Sequence, residues 1–222
     1  MTMPFSQSIA MTLSGSGRQG LLALPSGRAQ GLIVFAQGCS RSSPRSVYAS
    51  EWFRQAGFAT LLFDLLAEPE TADQSNIFNI PLLAQRLDMA ATAGRLAAAN
   101  PQLPLGFFGT STGAAAALAA ASVRADVAAV VSRGGRPDLA GEALTAVAAA
   151  TLLIVGSRDR QVLALNRDAY RMLRCERRLE TVPGATRGFK EPGALDAVVT
   201  MARDWFVTHL ALPAAKMEHD AC

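Results

Sequence analysis

Short apolar runs alternate along this chain with longer segments of helical periodicity. The apolar runs cover residues 30–38, 59–66, 103–109, 127–135, 151–159 and 177–185. The helical patterns lie around 46–57 and at 80–99, 114–122, 137–150, 162–174 and 192–210. This order predicts an α/β protein with a mainly parallel central sheet and helices on both faces.

Two further runs at the N-terminus, 7–13 and 18–25, are separated by a Gly/Ser turn and predict an antiparallel hairpin. Ligands of such sheets bind beyond the carboxyl ends of the parallel strands. The loops at that edge follow Phe35, Phe63, Phe108, Val131, Val155 and Val182. The polar segment 67–79 follows one of these strands, and we interpret it as either mobile or covering a site.

The composition narrows the class of protein. Of the 222 residues, 50% are hydrophobic and 18% are charged, which excludes a disordered chain. We expect one domain over 1–222, with a flexible tail at about 212–222. The sequence has neither the ~18-residue apolar stretch of a membrane span nor the N-terminal pattern of a secretory signal. The three cysteines (Cys39, Cys175 and Cys222) lack metal-ligand spacing, so we expect a cytoplasmic protein without a metal or other cofactor.

The positive charge is carried almost entirely by arginine. The net charge is +3, and 19 arginines stand against two lysines. Because we find neither a basic stripe on a helix nor interleaved basic and aromatic residues, we expect no nucleic-acid partner. We also expect no membrane partner. A small-molecule ligand is the expected partner, and the sequence leaves a monomer and a homodimer equally open.

The strongest chemical motif is Gly109-Thr110-Ser111-Thr112-Gly113, which lies between an apolar strand and an alanine-rich helix. A serine in this G-x-S-x-G context occupies a sharp turn that projects its hydroxyl over the sheet. The N–H of Thr112 then lies at a helix N-terminus and can stabilise an oxyanion. The loop after the preceding strand offers the N–H of Cys39 as a second oxyanion donor. The Cys39 thiol itself is either a nucleophile or, as we favour, a small packed side chain.

The orienting acid and the base should follow the serine in chain order. Asp159 lies 48 residues after Ser111 at the end of a strand, which is the expected place for the acid. A carboxylate at this position can also simply cap the next helix. The base should be a histidine after the final strand, yet the residue there is Arg187. The chain's two histidines are His209, which we expect on the surface near a helix end, and His219 in the tail.

Several longer stretches resemble the dienelactone hydrolase-related branch of the α/β-hydrolase superfamily. They are "SPR" at 43–45, "GFATLLFDLL" at 57–66, "GFFGTSTGAAAAL" at 106–118, "VVSRGGRPDLAG" at 130–141, "TLLIVGSRD" at 151–159 and "VPGATRGFKEPGAL" at 182–195. The resemblance covers roughly residues 31–210, and members of this group occur alone or fused to phosphoribosyltransferase domains. It implies an α/β-hydrolase fold, a nucleophile at Ser111, an acid at Asp159 and a histidine at position 187.

This chain departs from the family pattern at two places. Relatives carry His-Gly where it has Gln37-Gly38, and a histidine where "GATRGF" has Arg187. Arginine stays protonated at neutral pH and cannot serve as an ordinary general base. It would more naturally form a salt bridge with Asp159. Simple triad hydrolysis is therefore in question.

Arginines are frequent on the loops at the expected ligand-binding edge. They are Arg41, Arg45, Arg133, Arg136, Arg158, Arg160 and Arg187. Convergent guanidinium groups suit a carboxylate or phosphate ligand, so we expect an anionic substrate contacted by several of them and by Gln37. Asp64 is the remaining carboxylate at this edge and is expected to pair with one of these arginines or to contact the substrate.

Three functions fit these features. The first is a hydrolase that uses Ser111 with a Ser-Asp-Arg site, on a small anionic ester, lactone or related carbonyl compound. The second is a catalytically altered or inactive homologue that binds an anionic small molecule or a protein. The third is a lyase- or isomerase-like activity that reuses the oxyanion hole.

Overall fold

The computed structural model describes residues 8–12, 18–37 and 43–210. Its eight strands are β1 (Ser8–Thr12), β2 (Gln19–Ala23), β3 (Leu32–Gln37), β4 (Ala59–Asp64), β5 (Leu105–Thr110), β6 (Val127–Arg133), β7 (Ala150–Gly156) and β8 (Arg177–Val182). Its α-helices are α1 (Pro44–Gln55), α2 (Gln74–Ile77), α3 (Ile80–Ala97), α4 (Thr112–Val123), α5 (Arg160–Met172) and α6 (Ala194–Leu210).

The strands form one sheet in the order β1-β2-β4-β3-β5-β6-β7-β8. The pairs β1–β2 and β2–β4 are antiparallel, and every other neighbouring pair is parallel. The predicted hairpin and mainly parallel sheet are therefore confirmed. The parallel part places the ends of β3, β5, β6, β7 and β8 along a single edge.

The core consists of two layers, one on each face of the sheet. Val34 and Phe107 belong to the layer beneath α3 and α4. Phe35, Phe108 and Val131 belong to the layer beneath α1 and α6. Because both faces are covered, the central strands are apolar without alternation, as buried parallel strands usually are.

Some predicted elements are shorter than the sequence indicated, or of another kind. Residues Pro137–Ala146 form a 3-10 helix rather than an α-helix over 137–150, and Gly141 interrupts it at φ 55°. Strand β8 ends at Val182, and α6 begins only at Ala194, so a loop replaces the predicted ends at 185 and 192.

The polar segment 67–79 is structured at its start by a 3-10 helix, Glu68–Ala72, followed by α2. Glu70 forms salt bridges with Arg86 at 2.5 Å and with Arg18 at 3.3 Å. These bonds connect the start of the segment to the body of the protein. The predicted tail at 212–222 lies outside the described residues. Within the described part of the chain, no helix is both long and apolar enough to cross a membrane.

Candidate active site

Ser111 occupies a strained turn between β5 and α4. Its backbone has φ 52° and ψ −129°, a conformation that non-glycine residues rarely adopt. The flanking glycines allow the turn to form: a Cβ atom at Gly113 would overlap the Ala36 carbonyl oxygen, and one at Gly109 would lie 2.5 Å from the Ala114 Cα. The side chain of Ser111 is exposed, and Thr112 begins α4 beside it. The structure thus has the geometry that the G-x-S-x-G motif predicted.

The loop after β6 supports this turn. The N–H of Arg136 donates to the carbonyl oxygen of Ser111 at 3.0 Å. A Cβ atom at Gly135 would overlap Ala114 and Ser132, so only glycine fits there. Sequence reasoning missed a third component, Asn166, which is fully buried and donates from Nδ2 to the Gly135 carbonyl oxygen at 3.1 Å. The available signal was an asparagine on the apolar face of α5.

Asp159 follows β7 and lies at the N-terminus of α5. Its carboxylate accepts a hydrogen bond from the Val162 N–H at 3.2 Å, which makes it the N-cap of that helix. The side chain is half-buried. The capping role that the sequence left open is present, and a role as the orienting acid stays a prediction.

Arg187 lies in the loop between β8 and α6. Backbone contacts hold this loop at the site edge: a Cβ atom at Gly134 would lie 3.1 Å from the Arg187 carbonyl oxygen, and the Arg158 N–H donates to Ala185 at 3.0 Å. Glu191 accepts two hydrogen bonds from Thr186, from its N–H at 3.0 Å and from its hydroxyl at 2.6 Å.

The loops that carry Ser111, Asp159 and Arg187 therefore meet along one edge of the sheet. The Arg187 side chain is exposed. Over residues 8–12, 18–37 and 43–210, it forms no salt bridge with Asp159. The expected Asp–Arg pair is thus not formed in this structure.

His209 lies at the opposite end of the sheet and does not reach the site. Its ring is 4.3 Å from that of Trp205, and its Nε2 is 3.7 Å from the Glu176 carboxylate. Glu176 immediately precedes β8, so this is the amino edge of the parallel strands. His209 lies near the end of α6, as predicted, and its side chain is half-buried because the ring packs on Trp205. His219 lies outside the described residues.

Four polar side chains form a row along the carboxyl ends of neighbouring strands. Asp64 is paired in register with Gln37, and Thr110 is paired with Arg133. Since Ala36 is paired with Gly109, the order along the row is Asp64, Gln37, Thr110 and Arg133. The structure thus brings three of the predicted substrate-binding residues to the strand ends next to Ser111.

The arginines at this edge differ sharply in their partners. Arg136 forms a bidentate salt bridge with Asp138, with hydrogen bonds of 2.7 and 2.8 Å, and these bonds raise the pKa of its guanidinium. Its charge is therefore already compensated within the protein. Arg158 and Arg160 are exposed. Arg41 and Cys39 lie outside the described residues.

Among the residues that the structure describes, Arg133 forms no salt bridge. Its guanidinium lies 5.9 Å from the centre of the Phe108 ring, and its Nη1 is buried without a hydrogen bond. Burial, together with the nearby positive charge of Arg45, lowers the pKa of Arg133 to about 10. Arg45 lies in the first turn of α1 and is half-buried.

Gln37 is the second residue with an unused donor. Its side chain is 5% exposed, and its Oε1 accepts a hydrogen bond of 2.6 Å from the Ser46 hydroxyl. Its Nε2 is buried and has no acceptor among residues 8–12, 18–37 and 43–210. Within the described part of the chain, no cluster of His, Cys, Asp and Glu side chains could hold a metal ion.

An eight-stranded, mostly parallel sheet with a strained serine between β5 and α4 defines an α/β-hydrolase. The crystal structure of dienelactone hydrolase from Anabaena variabilis superposes on the chain with a TM-score of 0.85. The two share 44% identity over 93% of this chain and 98% of that one. The chain therefore belongs to the dienelactone hydrolase family.

The chain is also similar to a longer protein and, in fold, to a more distant one. A Mycobacterium tuberculosis protein named as a phosphoribosyl transferase is 51% identical over 199 residues, which are 87% of this chain but only 44% of that protein. A dienelactone hydrolase-like promiscuous phosphotriesterase from metagenomic libraries shares the fold, with a TM-score of 0.73 at 16% identity. No protein-family model matches the sequence.

Proposed function

We propose that this chain is an esterase or lactonase of the dienelactone hydrolase type, which acts through Ser111 on a small anionic ester, lactone or related carbonyl substrate. The observation that carries the proposal is the strained backbone of Ser111, at φ 52° and ψ −129°. A residue is held in such a conformation only when the surrounding structure enforces it, and such residues cluster at active sites.

In the proposed reaction the Ser111 hydroxyl oxygen attacks the carbonyl carbon. The C–O bond forms, the carbonyl π electrons move to oxygen, and the N–H of Thr112 donates to the resulting oxyanion. When the tetrahedral intermediate collapses, the bond between the carbonyl carbon and the leaving oxygen breaks, and the alkoxide takes the proton that the Ser111 hydroxyl gave up. Water then hydrolyses the acyl-enzyme and restores the Ser111 hydroxyl. The second predicted oxyanion donor, Cys39, lies outside the described residues.

The proton of Ser111 needs an acceptor other than Arg187, which stays protonated at neutral pH. A water molecule, Asp64 or the substrate's own carboxylate would take it. The Arg187 guanidinium would act electrostatically, by stabilising negative charge on the substrate or on the intermediate. Asp159 would orient the loops at this edge of the sheet while its carboxylate caps α5.

A second candidate is a binding protein that has lost hydrolysis. The exposed Arg187 side chain, which is not paired with Asp159 in the described part of the chain, favours it. In this case the site would bind an anionic small molecule without turning it over. The phosphoribosyl transferase name belongs to a relative of which this chain spans less than half, and the strained serine supports acyl transfer instead.

The test is the turnover of short-chain p-nitrophenyl esters and of carboxylate-bearing lactones by the wild type, Ser111→Ala and Arg187→His. The proposal predicts turnover by the wild type above background and its loss in Ser111→Ala. Site residues that act without a complete triad can still retain roughly 10³-fold catalysis over water, so a low rate is expected. If wild type and Ser111→Ala are equal while Arg187→His gains activity, the second candidate is correct.

A further inference from the structure

We propose that Gln37, Arg45 and Arg133 form a pocket that binds a carboxylate or phosphate group, on the α1 side of the strand ends and beside Ser111. The identity of this group as part of the substrate rests on the proposed function. The binding itself does not, because it requires only these side chains.

The first argument is the direction of the side chains. Phe35, Phe108 and Val131 lie in the core layer beneath α1 and α6. Side chains two positions further along a strand point to the same face, so Gln37 and Arg133 project towards α1. The hydrogen bond from Ser46 of α1 to Gln37 and the position of Arg133 over the Phe108 ring agree with this direction.

The second argument is the distance between Gln37 and Arg133 along the row. Strands β3, β5 and β6 are neighbours, and adjacent strands lie about 4.8 Å apart. Gln37 and Arg133 are therefore separated by roughly 10 Å at their backbones. Their long side chains can approach one another across Thr110, and the gap between them suits a group of a few atoms.

The third argument is the unpaired donor on Gln37. The hydroxyl of Ser46 donates to its Oε1, and its Nε2 is a buried donor without an acceptor among the described residues. Buried polar groups in folded proteins nearly always have a partner. A ligand oxygen would supply it.

The fourth argument is the positive charge of Arg133 and Arg45, neither of which forms a salt bridge within residues 8–12, 18–37 and 43–210. Arg133 has a buried Nη1 without a partner, and Arg45 repels it. The first turn of α1 contains no acidic residue, and Ser43 makes no side-chain capping bond there, so the positive helix terminus adds to the field. Asp138 is paired with Arg136. Asp64 is the register partner of Gln37 and lies three strand spacings from Arg133, so we place the bound anion at the Arg133 end of the row.

These features define the class of ligand group. The planar guanidinium fork binds two oxygens of a carboxylate or phosphate at once, which a neutral carbonyl cannot match. The Gln37 amide can donate to the same group. A small molecule with a carboxylate beside its ester or lactone bond fits, as does one with a phosphate.

The experiment measures binding of inorganic phosphate and of succinate by calorimetry and by thermal unfolding in otherwise anion-poor buffer. The variants are Arg133→Met, Gln37→Leu and Arg133→Lys, and the charge-matched control is Arg167→Met, an exposed position on α5. We expect the wild type to bind at least one of the two ions. We expect affinity to fall at least about tenfold in Arg133→Met, less in Arg133→Lys, and not at all in the control.

The unfolding temperature without ligand separates a binding role from a structural one. If the Arg133 guanidinium binds an anion, Arg133→Met removes a half-buried positive charge whose Nη1 is buried without a hydrogen bond, and the variant should unfold at a higher temperature than the wild type. A lower unfolding temperature combined with unchanged ion affinity would overturn the proposal. So would the absence of any binding to the wild type at about 10 mM of either ion.

Two further comparisons show which anion the pocket prefers and test the pocket independently of the proposed function. Tighter binding of succinate assigns the pocket to a carboxylate, and tighter binding of phosphate assigns it to a phosphate group. Ser111→Ala should bind either ion as the wild type does. If this variant binds normally while the wild type turns over no ester, the hydrolase proposal fails and the pocket stands.

Discussion

The backbone N–H of Arg136 donates a 3.0 Å hydrogen bond to the carbonyl oxygen of Ser111. This bond joins the strained serine turn to the loop after β6, the strand that ends at Arg133. Gly135 lies between the two arginines and packs against Ala114 of α4, where a side chain would not fit. Backbone contacts therefore join the Ser111 turn to the loop that follows Arg133, so the proposed nucleophile and the proposed anion pocket are adjacent.

Replacement of Ser111 by glycine should stabilise the protein relative to replacement by alanine. Glycine adopts φ 52° without the steric penalty that alanine retains, so we expect Ser111→Gly to have a free energy of unfolding about 1 kcal/mol higher than Ser111→Ala. Urea denaturation of both variants measures this difference, and both should lack activity.

The control is the same pair of replacements, by glycine and by alanine, at the exposed Thr92 in the interior of α3. There glycine should be the less stable variant by roughly 1 kcal/mol, because the helix interior disfavours it. If Ser111→Gly is as destabilised relative to alanine as Thr92→Gly is, the Ser111 turn is not strained in solution.

Substitutions at Asp159 separate its capping role from a catalytic one. Asparagine is as good an N-cap as aspartate, so Asp159→Asn should leave the free energy of unfolding nearly unchanged, whereas Asp159→Ala should lose about 1 kcal/mol. If the carboxylate also serves the site, ester turnover should fall in both variants. Full turnover by Asp159→Asn would show that Asp159 is a helix cap alone.

Acid should weaken the attachment of the 67–79 segment through Glu70. Burial by itself would raise the pKa of Glu70, but hydrogen bonds from Arg86 and Ala67 and the charges of Arg86 and Arg18 lower it to about 2, from an ordinary value of 4.5. Because the folded-state pKa is depressed, this stabilisation is complete above pH 4.5 and is lost as the pH falls towards 2.

We therefore expect Glu70→Gln to be less stable than the wild type at pH 7 by about 1 kcal/mol, with a difference that shrinks between pH 4.5 and 2. Glu142→Gln, at an exposed position, is the control. Denaturation midpoints for wild type and Glu70→Gln that run parallel across this pH range would contradict the assignment.

The sheet was predictable because its strands are almost uniformly apolar and are separated by helical periods. The short elements were not. The 3-10 helix at Pro137–Ala146 keeps an apolar pattern that resembles an α-helix, and only the positive φ of Gly141 reveals the break. The order of β3 and β4 in the sheet depends on crossover connections, which no local pattern shows.

At the site, the sequence identified the serine turn and the strand ends, since both follow from motif and position. The sequence did not show which arginines are paired with a carboxylate. Arg133 and Arg136 lie three residues apart in one motif, yet of these two only Arg136 forms a salt bridge within the described part of the chain, with Asp138. That difference depends on side-chain direction at the end of β6, as does the burial of Asn166 beneath Gly135.

The most direct test of the central claim is the capture of an acyl group on Ser111. Without a histidine base, hydrolysis of the acyl-enzyme should be slow, so brief exposure to p-nitrophenyl acetate followed by acid quench should leave an acetylated intermediate visible by intact-mass spectrometry. We expect one acetyl group on the wild type, located on Ser111 by peptide mapping, and none on Ser111→Ala. An unmodified wild type, or an equal adduct on Ser111→Ala, would contradict a serine mechanism in this protein.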